Sequence, residues 1–365
     1  MTIDLGAVRA NFKTLQKNLV GTELAAVVKS DAYGLGMGPV AGALAEAGAK
    51  TFFVATLNEG AELRGHLPDA YICVFNGPFP GEEATFSTHR LVPVLNSIEQ
   101  LQNWSAHSAS SESPSPANIH IDTGMTRLGL DPADIERLKQ EPDMLRPLAL
   151  ELVLSHLACA DQPDHKMNAA QLDAFEDGAA QIEGLSGTVG KSLASSSGIF
   201  LGPRYHFQMA RAGAALYGVN PRPGNPNPMR QVIRIQGKIL QVRSVDTFRT
   251  VGYGASYQAT RPAKIATATI GYGDGYHRAL SNAGTAFIDS LEVPVVGRIS
   301  MDLTTLDVTA VPDSRLWLGQ TVDFIGPHNP VDRVAAQADT IGYEILTQLG
   351  RRYQRRYVDR QGDAE

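Results

Sequence analysis

Residues 24–36 run Leu24-Ala25-Ala26-Val27-Val28-Lys29-Ser30-Asp31-Ala32-Tyr33-Gly34-Leu35-Gly36, an apolar run that stops at a lysine and enters a glycine-rich turn. A short, partly β-branched run bounded by turn residues reads as a buried strand whose end meets a loop. Lys29 therefore stands at a strand mouth. Burial there disfavours an ammonium group and lowers the lysine pKa, which suits an amine to act as a Schiff-base nucleophile or general base. A lone lysine in such a place more commonly carries its charge out to solvent along its aliphatic stem, so the surrounding pattern has to decide its role.

Outward from this strand the pattern repeats. Apolar runs at 51–55, 71–75, 91–95, 118–121, 148–154, 192–194 and 212–217 follow the one at 24–28. Helical-period segments at 40–47, 58–64, 98–104, 132–139 and 167–182 lie between most of them, and Asp4 caps an earlier helix in which Leu5, Val8, Phe12 and Leu15 share a face. Eight β-then-α units predict an N-terminal (β/α)8 TIM-like barrel, with a doubly wound open sheet as the competing arrangement. Residues 105–117, rich in Ser and Pro, read as an exposed insertion because the alternation resumes after them.

Pro221-Arg222-Pro223-Gly224-Asn225-Pro226-Asn227-Pro228 cannot hold regular structure. It marks the boundary between a barrel domain, 1–228, and a second domain, 229–365. In the second, strand-like runs at 232–235, 239–245, 264–270, 286–288, 293–296 and 322–325 predict a mainly β structure. A final helix near 340–352 and a disordered, Asp-rich tail complete the chain.

At 365 residues the chain is longer than one hydrophobic core usually serves. A composition of 43% hydrophobic and 19% charged residues is that of a globular protein, and a net charge of −6 without basic tracts argues against nucleic acid or a membrane surface as partner. No apolar stretch approaches a membrane span. Met1-Thr2-Ile3-Asp4 shows neither a basic region nor an apolar targeting core. The only cysteines, Cys73 and Cys159, lack metal-type spacing and read as free thiols of a reducing compartment, so a cytoplasmic location without a metal site is expected.

In a barrel of this type chemistry gathers at the C-terminal ends of the strands. Lys29 follows the first run, Asp122-Thr123-Gly124-Met125-Thr126-Arg127-Leu128-Gly129 the fifth, Ser155-His156 the sixth and Ser195-Ser196-Ser197-Gly198 the seventh, while Arg211-Ala212-Gly213-Ala214 belongs to the last unit. Five such exits converging on one mouth make a pocket. Hydroxyls and close backbone N–H groups from the last two units suit a phosphate. In the second domain, Ile270-Gly271-Tyr272-Gly273-Asp274-Gly275-Tyr276 and Val295-Val296-Gly297-Arg298-Ile299-Ser300-Met301-Asp302 combine an aromatic turn with a second glycine-bearing block.

Residues 26–36 closely resemble the pyridoxal-phosphate attachment motif of the alanine racemase family, and the other blocks resemble that family's signatures in order along almost the whole chain. The resemblance implies that Lys29 carries pyridoxal phosphate. It implies that Tyr33, Ser196, Tyr343 and the amides of Gly213 and Ala214 bind the cofactor phosphate. The family more usually has Asn-Ser where this chain has Ser195-Ser196, which leaves open which serine makes the contact. Arg211 is placed against the pyridine nitrogen, with His156 behind it as hydrogen-bonded support. An arginine cannot give up a proton to that nitrogen, so the ring stays a weaker electron sink than with a carboxylate partner.

The resemblance also places Arg127 against the cofactor's phenolic oxygen and the substrate carboxylate. His120 falls where many relatives have a lysine that becomes carbamylated in support of this arginine, and a histidine forms no stable carbamate. Tyr272 is implied as the second catalytic base, with the Met301 amide binding the substrate carboxylate. In the family these blocks reach the active site of a partner subunit, which implies a homodimer. Lys29 and Tyr272 would then interconvert L- and D-alanine from opposite faces, for peptidoglycan supply or for D-alanine breakdown. Basic amino-acid decarboxylases share the barrel but differ in the β domain. Non-catalytic cofactor-binding proteins resemble the barrel half alone.

Overall fold

The computed structural model of the protein describes residues 1–359. Thr2–Asp4 is the first strand, β1, and the barrel strands follow as β2 (Glu23–Val27), β3 (Thr51–Val54), β4 (Tyr71–Val74), β5 (Leu91–Leu95), β6 (Ser115–His120), β7 (Leu148–Leu154), β8 (Gly190–Ser192) and β9 (Met209–Ala212). Their order is β8-β7-β6-β5-β4-β3-β2-β9, with every ladder parallel. A bridge between Ser195 and Arg211 and the Arg211 N–H to Ala194 O bond bring β8 and β9 together, so the sheet curls into a near-closed barrel. Parallel strands covered by helices are buried on both faces. That is why Thr51–Val54 and Leu91–Leu95 are buried at every position.

The helices begin where side chains satisfy their free N–H groups. Asp4 caps Leu5–Gln16, Ser97 caps Ile98–Ala109, and Thr56 with Glu59 and Asp131 with Asp134 form capping boxes on Leu57–His66 and Pro132–Gln140. The last unit has no long helix. A single 3-10 turn, Ala214–Tyr217, follows β9, and Leu5–Gln16 packs between it and Met37–Glu46 to complete the ring.

Two barrel readings are corrected. The eighth strand is Met209–Ala212 and not 212–217, whose apolar residues are buried in the 3-10 turn. Residues 105–117 are no insertion. Ser105 and Ser108 are buried on Ile98–Ala109, Ser108 Oγ donates to Pro147 O at 2.5 Å, and Ser115 already opens β6.

The second sheet is built on β10 (Ile233–Val245), a single 13-residue strand with irregularities near Ile235 and Ile239 where two runs are expected. Its first half lies between β1 and β17 (Thr321–Ile325), and its second half pairs with β13 (Ala263–Ala268). β14 (Thr285–Ile288) and β15 (Leu291–Pro294) extend one edge, and β16 (Thr304–Asp307) pairs with β13. β11 (Thr250–Val251) and β12 (Tyr257–Gln258) form a small separate hairpin.

The other edge is β18 (Arg356–Val358), parallel to β1, so both ends of the described chain meet in this sheet. Residues 221–228 carry neither helix nor strand. Val331–Gln337 and Gly342–Thr347 are two short helices in place of a single one over 340–352. The expected disordered tail extends onto residues 360–365, outside the described residues.

Candidate active site

Lys29 leaves β2 on a backbone that L-residues rarely adopt. Ser30, Asp31, Ala32 and Tyr33 have φ between 52° and 55°, so Lys29–Gly34 is a turn of left-handed helix. At about 1–2 kcal/mol per residue the four cost roughly 4–8 kcal/mol. Contacts from three elements oppose that cost. Glu59 Oε1 accepts the Ser30 N–H at 2.7 Å, and its Oε2 accepts the Ala55 N–H at 2.8 Å. Asp31 Oδ1 accepts the Met37 N–H at 2.7 Å while Oδ2 meets Arg355 Nη1 at 3.0 Å, and Tyr357 Oη donates to Leu35 O at 3.0 Å. Bonds to charged groups contribute about 1.5–3 kcal/mol each, the same order as the strain. Gly34 is needed here on two counts: its φ is +82°, and a Cβ would lie 2.4 Å from Leu346 O.

The turn delivers Lys29 and Tyr33 to a cavity of about 810 Å³ at the C-terminal ends of the barrel strands. Tyr33 stacks on Tyr217 with ring centroids 4.6 Å apart and stands 6.1 Å from Tyr343. Its hydroxyl comes so near Gly213 that a Cβ there would lie 2.4 Å from Oη. Ser196 is buried against the same backbone, accepting the N–H groups of Gly213 at 3.0 Å and Ala215 at 3.3 Å, whereas Ser195 is bridged to Arg211 in the sheet. Burial raises the phenol pKa of both Tyr33 and Tyr343.

Arg211 is almost fully buried, and its guanidinium donates to Ser192 O at 2.8 Å, to Ser192 Oγ at 2.5 Å and to Ser155 O at 2.5 Å. Burial lowers its pKa to about 10, which leaves it cationic at neutral pH. The expected support by His156 is not what the structure has. Among the described residues no hydrogen bond joins the two. The Ser155 carbonyl just past β7 and the Ser192 carbonyl on β8, with the Ser192 hydroxyl, take the arginine N–H groups. His156 feels Arg211 as a charge instead: burial first, then Arg211, Arg127 and Lys29 push its pKa down to about 3, so its ring is neutral.

Lys29 has a lowered pKa, chiefly through burial and next through Arg127, with Glu59 opposing. Its Nζ lies 5.6 Å from the Phe75 ring centroid. Arg127, Ala214 and His120 also line the cavity. Tyr272 and Met301 do not. They are 43% and 54% exposed and stand together elsewhere, joined by the Tyr272 N–H to Ser300 O bond at 3.0 Å and the Gly273 N–H to Met301 O bond at 2.8 Å. Arg352 secures that pair of loops by bonding Asp302 at 2.8 Å beside Asp274 at 3.4 Å.

Residues 3–221 match the N-terminal domain of alanine racemases and residues 232–357 the C-terminal domain. The chain belongs to the alanine racemase family. An alanine racemase of Rhodospirillum rubrum is 47% identical over 98% of this chain and 95% of its own. A catabolic alanine racemase of Agrobacterium fabrum is 44% identical over 98% and 92%. The crystal structure of alanine racemase from Bartonella henselae with covalently bound pyridoxal phosphate superposes with a TM-score of 0.93 at 40% identity, covering 98% of each chain.

Of the eleven residues that the alanine racemase motifs single out, nine therefore face one cavity and two lie outside it. Four further residues escape a reading by motif. Glu59 holds the left-handed turn, Ser192 holds Arg211, and Asn96 bonds His120 Nδ1 at 2.8 Å. Gln171, fully buried, donates to Thr123 Oγ1 and His156 O and accepts the Ala158 N–H, so it ties two strand-end loops together. A glutamine on the apolar face of 167–182 is the signal for this last one, because a buried amide needs partners.

Proposed function

We propose that the chain interconverts L- and D-alanine on pyridoxal phosphate held in the barrel cavity, with Lys29 and Tyr272 as the two bases. The observation that carries this reading is the division of the motif residues into two groups. Those for a cofactor gather around one cavity, and those for a second base stand exposed and together outside it.

The cavity fits the cofactor, since the approach of Tyr33 to Gly213 is one that any Cβ would fill. Tyr33, Ser196, Tyr343 and the amides of Gly213 and Ala214 would hold the phosphate, and Lys29 would make the covalent attachment. Arg211 would face the ring nitrogen and Arg127 the phenolic oxygen and the substrate carboxylate, with His156 on the same wall. When bound, pyridoxal phosphate supplies an electron-withdrawing ring that acidifies the substrate α-hydrogen. Arg211 has no proton to yield to the nitrogen, which restrains that withdrawal and favours proton exchange over transamination.

Lys29 Nζ, made less basic by burial and by Arg127, exchanges the proton on one face of the substrate Cα. Tyr272 Oη serves the other. A single base would mostly return the proton to the side it left, so inversion needs both. Because Tyr272 and Met301 lie outside the cavity of their own chain, we assign them to the cavity of a second copy, in a homodimer, where the Met301 N–H would take the substrate carboxylate.

Among the described residues no helix is long and apolar enough to cross a membrane, and Cys73 and Cys159 are unpaired. We place the enzyme in the cytoplasm. The same chemistry serves D-alanine supply and D-alanine breakdown, since one equilibrium is approached from either side.

Incubation with pyridoxal phosphate and L-alanine in D2O tests the reading. Loss of optical rotation with deuterium at Cα and no carbon dioxide is the expected result. Release of carbon dioxide would mark a decarboxylase, and no turnover a cofactor carrier.

A further inference from the structure

His120 ends β6 and faces the cavity between Asn96 and the loop that carries Arg127. Asn96 is buried, and its Nδ2 donates to Phe75 O at 2.9 Å and Val94 O at 2.8 Å. Carbonyls only accept, so the amide cannot be turned over without setting oxygen against oxygen. Its Oδ1 is thereby committed to His120 Nδ1, 2.8 Å away, and an acceptor in that position requires Nδ1 to carry the hydrogen. Burial, Arg211 on β9 and Arg127 lower the imidazole pKa to about 4 against the opposing Asp122, and neutral His156 is the other titratable ring near it. At neutral pH the remaining nitrogen, Nε2, is a bare acceptor.

The loop that follows is anchored on the same residue. The Leu130 N–H donates to His120 O at 2.8 Å, the Asp122 N–H donates to Leu130 O at 2.9 Å, and Asp122 Oδ1 accepts the N–H groups of Gly124 and Thr126. Gly129 packs so closely that a Cβ would lie 3.2 Å from His120 Cδ2, the ring carbon next to Nε2. Arg127 thus sits on a loop that leaves from His120 and returns to it. Among the described residues its guanidinium has no hydrogen bond or ion pair.

We propose that Asn96 fixes His120 as the Nδ1–H tautomer, and that His120 Nε2 is the acceptor that orients the Arg127 guanidinium toward the substrate carboxylate. His120 and Asn96 are then positioning residues. The proposal rests on the reading of Arg127 as a carboxylate ligand only where turnover is measured.

Holoenzyme labelled with ¹⁵N-histidine, with His120→Gln identifying the resonance, tests the tautomer directly. The expected result is a neutral Nδ1–H ring from pH 8 to about pH 5.5 that loses its single tautomer in Asn96→Leu. An Nε2–H ring, or an imidazolium by that pH, overturns the proposal.

A double-mutant cycle on the KM for L-alanine tests the partner. His120→Phe should raise KM roughly tenfold when Arg127 is present and less than about twofold in Arg127→Ala. His120→Gln should recover most of the loss, because its amide oxygen accepts a hydrogen bond. Equal effects of His120→Phe in both backgrounds overturn the pairing. If Arg127→Ala leaves KM unchanged, the carboxylate reading of Arg127 fails instead, and the tautomer measurement alone decides for or against His120.

Discussion

Glu59 Oε1 accepts the Ser30 N–H at 2.7 Å, so the helix after β3 is bonded to the residue that follows Lys29. The same carboxylate closes the capping box of that helix with Thr56. One side chain thus starts a helix and restrains a left-handed turn. Glu59→Ala frees both sets of N–H groups and should lower unfolding stability by about 2–4 kcal/mol. Its cofactor should also be lost more readily on gel filtration. Glu59→Gln keeps one acceptor and should fall between. Urea midpoints equal to that of the parent would mean that Asp31, Arg355 and Tyr357 hold the turn alone.

Lys29→Ala should abolish racemisation, and borohydride reduction of the parent should leave the cofactor on the Lys29 peptide. The other lysines offer no rival in the cavity. Lys191 is paired with Glu183 at 2.6 Å and Lys166 begins the helix Lys166–Ser186, both away from the lining residues. A reduced cofactor peptide mapping to either would overturn the assignment.

Arg211→Glu should raise transamination relative to racemisation, because a carboxylate would let a facing ring nitrogen keep a proton. The substitution also sets a carboxylate against Ser192 O and Ser155 O, so a stability loss of a few kcal/mol should accompany it. Arg211→Gln retains donors for those carbonyls and separates the two effects. Its stability should recover while racemisation stays below the parent level. An unchanged reaction partition in folded Arg211→Glu would remove Arg211 from the ring.

Two neutral histidines make a pH signature. The pKa values of His156 and His120 are pushed down from 6.5 to about 3 and about 4 by burial and by Arg211. Between those values and 6.5 the unfolded chain binds more protons than the folded one, so stability rises with pH through that window. The contribution is complete above about pH 6.5 and is lost as the pH falls toward 3. Urea unfolding should give a free energy lower at pH 5 than at pH 7.5 by roughly 2–4 kcal/mol more in the parent than in His120→Gln/His156→Gln. Equal pH slopes in parent and variant would show that these rings titrate freely.

The barrel is legible because buried parallel strands must be apolar on both faces, and six of the eight runs announce themselves so, whereas β8, Gly190–Ser192, meets the expected run at 192–194 only at Ser192. The last strand escapes. It carries Arg211, while the more apolar 214–217 beside it is a buried 3-10 turn. β1 escapes for another reason, since its partners at Arg234 and Arg356 are remote in the chain. The left-handed turn contradicts the preferences of Ala32 and Tyr33 and is imposed by Glu59, Arg355 and Tyr357 from other elements. Motifs likewise mark Arg211 and His156 but carry no distances, and only the packed strand ends assign Ser192 as the partner.

The placement of Tyr272 outside its own cavity has a quantitative consequence. If each site takes Lys29 from one chain and Tyr272 from the other, a mixed dimer of Lys29→Ala and Tyr272→Phe has one site with both lesions and one with neither. Random exchange makes about half of the dimers mixed, and half of their sites are intact, so roughly a quarter of parental activity should return. Neither variant alone regains any, because each of its sites lacks one base. Mass spectrometry establishes whether the subunits have exchanged. If they have and activity stays at the level of the single variants, both bases belong to one chain, and the loop that carries Tyr272 and Gly273 must reach its own barrel by a movement that would break the Arg352 bonds to Asp302 and Asp274.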